Sequence, residues 1–270
     1  MNRCEYVTIG YYPKTFNDEH INVAFALHDP STGKMYFDAI QNRKRVMAFD
    51  DDISEADFAS LLSSISRYFT EPFQKQQNLL PKRNDDLIYD PHFFDKNQHL
   101  FLNQFRLSKT LYCDSDNPQE TFKLLSKVAL YYDREKKDRA SAQEVAKAMK
   151  LQIENAFSET EQNLHKMPIE NELTHGESIR FDYRYKNYYI KVFNVLGTDQ
   201  RSVIDQAKVW FYNASYFKNR DCRLIFVVPD DDIISDKSFS ELIFKQIFDG
   251  VSAEIVHSSD FAHLAASLKA

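Results

Sequence analysis

Residues 179–196 read IRFDYRYKNYYIKVFNVL, and they decide the fold. Aromatic and β-branched side chains crowd both halves, and Tyr185-Lys186-Asn187 interrupts them where a tight corner can form, so the stretch predicts a β-hairpin. Asp182 falls on the first strand and Lys191 on the second. Side chains two apart on a strand share a face, which sets Tyr189 beside Lys191. A carboxylate facing a lysine in this way is either part of a metal-assisted phosphodiester site or an ion pair within a sheet. Tyr189 bears on the choice, because a phenol with a pKa of about 10 is a poor magnesium ligand.

The surrounding chain predicts a layered setting for the hairpin. Ser141-Ala142-Gln143-Glu144 is a capping box that opens a helix with Val145, Met149, Ile153, Ala156 and Phe157 on one face. After the hairpin, Thr198 can cap a helix whose inner face is Val203, Ala207, Trp210, Ala214 and Phe217. Residues 223–228 read as a buried strand, 235–249 as a helix stopped by Gly250, 251–257 as a last strand and 259–268 as a final helix. Alternation of this kind predicts a mixed α/β layer.

The first half has a different grammar. Residues 6–12, 21–28 and 35–40 read as strands, with Gly33 free to take positive φ in the turn before the third. Ser54-Glu55-Ala56-Asp57 starts a helix carrying Phe58, Leu61, Leu62, Ile65 and Phe69, and Glu71-Pro72 ends it. Residues 72–98 read as a long irregular loop and 100–111 as a strand. Asn117-Pro118-Gln119-Glu120 then opens another helix. Residues 133–139 offer nothing to bury and mix both charges, so they read as a solvated connection. The expectation is an α+β chain of two domains: residues 1–133, a small antiparallel sheet with helices, and residues 140–270, a mixed α/β domain.

Composition narrows the function classes. The 270 residues are 43% hydrophobic and 27% charged, the balance of an ordinary globular protein. A net charge of -6 argues against a wholesale nucleic-acid footprint, although a local basic groove remains open. No apolar run approaches the ~20 residues needed to cross a bilayer and no signal-peptide core opens the chain, so a cytoplasmic location without membrane association is expected. Cys4, Cys113 and Cys222 are scattered and odd in number, which predicts buried free thiols rather than a disulfide framework. Only five glycines are present and the eight histidines are dispersed, so nucleotide-binding glycine loops and zinc spacings are not expected.

Several residues remain as candidates. Arg43, Lys44 and Arg45 form the densest basic cluster of the first half and, with Lys186 at the hairpin corner, could contact phosphates. Asp50-Asp51-Asp52 and Asp230-Asp231-Asp232 could hold a cation or could simply lead into helices. Glu144, Glu154 and Glu177 could lend a second acid to Asp182.

Two resemblances add expectations. The hairpin, with an acid on one strand facing an x-x-lysine on the next, resembles the metal-binding hairpin of the PD-(D/E)XK nuclease fold, with Tyr189 standing where that pattern has its second acid. Gln206 and Trp210 are similar to the glutamine-x-x-x-aromatic element of some of its members. In that likeness Asp182 would be the metal ligand and Asp182 with Lys191 the catalytic pair, using Mg²⁺; without the second acid, no cofactor is expected. Tyr12-Pro13, followed by Glu19, Asn22 and Val23, resembles the opening of a bacterial family of unknown function with the pattern Y-x-P through E-x-x-N-V. That likeness covers residues 4–132, brings no activity with it, and implies a prophage, mobile-element or phage-defence setting. Together they lead to the expectation of a non-catalytic interaction or nucleic-acid-binding protein, possible as a homodimer, with a divalent-metal-dependent nuclease as the alternative.

Overall fold

The computed structural model describes residues 2–14, 19–71, 88–101, 104–158, 165–172, 178–196, 198–217, 221–230, 245, 247–248 and 253–269. The fold is α+β, with an antiparallel sheet in the N-terminal half and a mixed sheet in the C-terminal half. The chain separates into two compact units that divide between Ser141 and Ala142.

In the first unit the central strand is β1 (Asn2–Tyr11), paired antiparallel with β2 (Ile21–Asp29), which pairs in turn with β3 (Lys34–Ala39). The turn between them is held by the Asp29 carboxylate, which accepts from the Ser31 amide and the Ser31 and Thr32 hydroxyls, while Gly33 takes φ of 65°. The far edge of β1 is shared: β4 (Phe105–Leu107) pairs with its end and β5 (Leu111–Ser115) with its beginning. The single strand expected over 100–111 is therefore two short ones. At Thr8 the Ser108 hydroxyl replaces a backbone partner, accepting from the Thr8 amide at 3.0 Å.

Among the described residues, the α-helices of this unit are α1 (Lys44–Phe49), α2 (Glu55–Thr70), α3 (Phe93–Asn97) and α4 (Pro118–Ala129). Ser54 caps α2 by accepting from the Asp57 amide at 3.1 Å, and Asn117 caps α4, both as the sequence predicts. Aromatic rings fill the space beneath the sheet. Tyr11 meets Phe58 and Phe105, and Phe69 meets Phe37, Phe94 and Phe101. Within the stretch expected to be irregular, 72–87 lies outside the described residues, and α3 followed by a 3-10 turn occupies its end.

The solvated connection expected over 133–139 holds for the exposed residues 135–138 and is corrected at its start. Asp133 is buried and accepts from Arg45 Nη1 at 2.8 Å, and Arg134 pairs with Asp38 of β3. These two charges fasten the start of the segment to the first unit, and residues 134–141 belong to that unit.

The second unit has helix α5 (Ala142–Ser158), strands β6 (His165–Glu172), β7 (Ser178–Tyr185) and β8 (Tyr188–Val192), helix α6 (Gln200–Ser215), strands β9 (Arg223–Val228) and β10 (Ala253–His257), and helix α7 (Phe261–Lys269). The sheet order is β10-β9-β8-β7-β6, with β6, β7 and β8 antiparallel and β8, β9 and β10 parallel. Strand β6 escapes the sequence reading. It is the sheet's edge, where Pro168 costs no inner ladder bond, and its register shifts between Lys166 and Ile169. Asp199, not Thr198, caps α6, accepting from the Ser202 amide at 3.1 Å. Most of the helix expected over 235–249 lies outside the described residues. Phe248, within it, packs on Phe226 at 4.6 Å between ring centroids.

Candidate functional site

The hairpin forms as expected. Strands β7 and β8 pair through Tyr183–Ile190, Arg184–Tyr189 and Tyr185–Tyr188, and Lys186 takes the corner with φ of 51°. One step beyond the first of these rungs, Asp182 meets Lys191: Nζ lies 3.1 Å from Oδ2. The same oxygen accepts from the Val192 amide at 3.0 Å, and Oδ1 receives Lys150 Nζ of α5 at 3.0 Å. One carboxylate is thus bound by two ammonium groups and a backbone amide.

Burial works against the charge of Asp182, but the Val192 amide, Lys191 and Lys150 outweigh it and hold the carboxyl below its ordinary pKa. Beside it, the Tyr183 hydroxyl donates to Glu154 Oε1 at 3.0 Å, and burial with the charges of Glu154 and Asp182 pushes that phenol's pKa up. Lys150 and Glu154 stand one helical turn apart on α5, so two residues of opposite sign reach the hairpin from one face. Two cations and two anions leave little net negative field to hold a divalent ion.

Tyr189 is half-buried and packs against the core instead. Its ring lies 5.2 Å from Phe181 and 5.9 Å from Phe217, and the Arg184 guanidinium sits 5.3 Å above it. Trp210 packs edge-on against Phe181, Phe193 and Phe226, and Lys191 Nζ lies 5.3 Å over its ring. Gln206, one turn earlier, is exposed, so the glutamine and the tryptophan do not converge.

The remaining acids take structural posts. Asp230 accepts from the Ser258 hydroxyl and from the amide and hydroxyl of Ser259, tying the end of β9 to the turn before α7. Asp231, Asp232 and Glu177 lie outside the described residues, and Glu144 stands in the first turn of α5. Asp50, Asp51 and Asp52 form the one group among the described residues with three donor atoms close enough for an ion. Buried Asp50 already accepts from the Tyr11 hydroxyl and the Asp52 amide, which makes it an anchor between β1 and the start of α2.

The basic candidates divide between the two units. Arg43 pairs with Glu55 at 3.6 Å, Arg45 is held by Asp133, and Lys44 is exposed. Lys186 donates to the Leu268 carbonyl at 3.2 Å, a cation placed at the C-terminal end of α7, where the helix dipole favours it.

Lys150 and Tyr183 are the site residues that sequence reasoning misses. The available signal was the polar pair Lys150 and Glu154 running beside the apolar stripe of Met149 and Ile153. No protein-family model, no curated protein and no solved structure matches the chain. Among the described residues, no helix is long and apolar enough to cross a membrane.

Proposed function

We propose that this protein is a non-catalytic binding protein whose second unit keeps a nuclease-like hairpin with its charged pair turned into a structural clamp. The observation that carries this reading is the occupancy of Asp182, whose two oxygens are taken by Lys150, Lys191 and the Val192 amide. Tyr189, in the place of a second acid, belongs to an aromatic cluster. The succession of α5, the antiparallel strands, α6 and a strand parallel to β8 agrees with the nuclease-like resemblance.

Between the two partner classes, a protein is favoured over nucleic acid. The net charge is -6, and Arg43 and Arg45 are engaged by Glu55 and Asp133. Helix α6 turns Val209 (59% exposed), Tyr212 (60%) and Tyr216 (37%) outward, an aromatic surface of the kind that protein interfaces use. A setting in phage conflict or on a mobile element follows from the likeness of the first half alone.

Incubation of the full chain with single- and double-stranded DNA and RNA, in Mg²⁺ or Mn²⁺, tests this reading. Neither cleavage nor a mobility shift is expected, and affinity isolation should recover a protein that Tyr212→Ser/Tyr216→Ser no longer retains. Cleavage that vanishes in Asp182→Ala/Lys191→Ala would overturn the non-catalytic reading in favour of a metal-dependent nuclease. A shift without cleavage would replace the protein partner with nucleic acid.

A further inference from the structure

Cys4 and Cys113 stand far apart in the chain, yet β1 and β5 set them directly opposite one another. Opposed residues of an antiparallel pair project from the same face, with Cβ atoms about 4.5–5.5 Å apart. A disulfide requires Cα atoms about 4.4–6.8 Å apart, and both kinds of antiparallel rung, at about 4.5 and 5.5 Å, meet that requirement. Cys4 Sγ donates to the Asn2 carbonyl at 3.9 Å, and the neighbouring Cys4 thiol, with burial, raises the Cys113 thiol well above its ordinary pKa. Both are free, at 0% and 1% exposure.

Their place in the sheet provides the route in. Only the Asn2–Ser115 and Arg3–Asp114 rungs separate the pair from the end of the ladder. Opening of a strand end is among the least costly motions of a folded protein, so this pair can reach solvent without unfolding of the unit. Cys222, in the second unit, precedes β9 and stands on no rung of this ladder.

We propose that Cys4 and Cys113 are a modification site, a dithiol that closes to a cross-strand disulfide by exchange with a small-molecule disulfide of the glutathione type. One cysteine, as its thiolate, attacks the small disulfide, forms a mixed disulfide and releases one small thiol. The other thiolate attacks the protein sulfur of that adduct, closes the Cys4–Cys113 bond and releases the second small thiol. The protein gives up two protons and two electrons, and the reagent leaves as two thiols. The bond fastens the start of β1 to β5 across a loop that includes most of the first unit, the case in which a disulfide restricts the unfolded chain most.

The test uses the full chain with Cys222→Ser, so that only the pair remains. Incubation with oxidised glutathione, then unfolding, alkylation and intact mass measurement, should show the loss of two hydrogens and no alkylation. The unfolding midpoint of the first unit should rise by roughly 5–10 °C and return on treatment with dithiothreitol. Cys113→Ser in the same background should stop at a stable glutathione adduct on Cys4. Two alkylated thiols with no mass lost, or two glutathione adducts without a bridge, would overturn the proposal; the parent protein alone decides between these results.

Discussion

Replacement of Asp182 by alanine should lower the stability of the second unit by about 3 kcal/mol, the low end of the range for breaking a buried ion pair from one side. The change strips Lys191, 23% exposed, and Lys150, 43% exposed, of their shared counter-ion, and leaves the Val192 amide without its acceptor. Water can reach Lys150 and soften its loss, which is why the low end applies. Lys150→Ala, which leaves Asp182 with Lys191 and the amide, should cost less than about 1 kcal/mol. Urea midpoints of the three proteins give both values.

The same carboxyl sets an acid limb. Because its folded pKa lies below its unfolded value of 3.8, Asp182 contributes stability that is present above that pH and is lost as pH falls through the folded pKa. The stability gap between the natural protein and Asp182→Asn should therefore be constant near neutrality and narrow below pH 3.8.

The second large effect concerns the missing acid. Tyr189→Asp recreates the acid-x-lysine pattern on paper, yet it should destabilise the second unit by about 2–3 kcal/mol and bind no metal. The substitution removes a ring packed on Phe181 and Phe217 and sets a carboxylate at the edge of that aromatic cluster. The Arg184 guanidinium, 5.3 Å over the ring that is lost, and Lys191 on the same strand face offset part of the cost, and in doing so they occupy the new acid as Lys191 and Lys150 occupy Asp182. Thermal unfolding reads the first part, and calorimetric titration with Mn²⁺ reads the second. A titration that saturates, accompanied by new cleavage, would mean that the clamp yields to a metal.

Much of this could be read in the sequence wherever a local signal carried the structure. The β-branched and aromatic runs of β1, β2, β7 and β8, the Ser54 and Asn117 caps and the break at Lys186 all report short-range preferences, and the observed elements follow them. Strand β6 failed because an edge strand tolerates proline and polar residues that hide its period. Asp133 and Arg134 escaped the reading because their charges are met by Arg45 and Asp38, about ninety residues away, and no local pattern announces such a partner. The candidate site divides along the same line. Asp182 facing Lys191 follows from hairpin register, whereas Lys150 and Tyr183 joined them through the packing of α5. The Cys4–Cys113 rung, likewise, exists only once β5 is folded back on β1.

Crystals of the full chain soaked in Mn²⁺, with an anomalous difference map calculated at the hairpin, test the central claim most directly. The expected map has no peak at Asp182, with Lys150 and Lys191 Nζ each still about 3 Å from its carboxylate. A manganese peak bound to Asp182, with both lysines displaced and a second acid such as Glu154 turned toward the ion, would contradict the structural clamp.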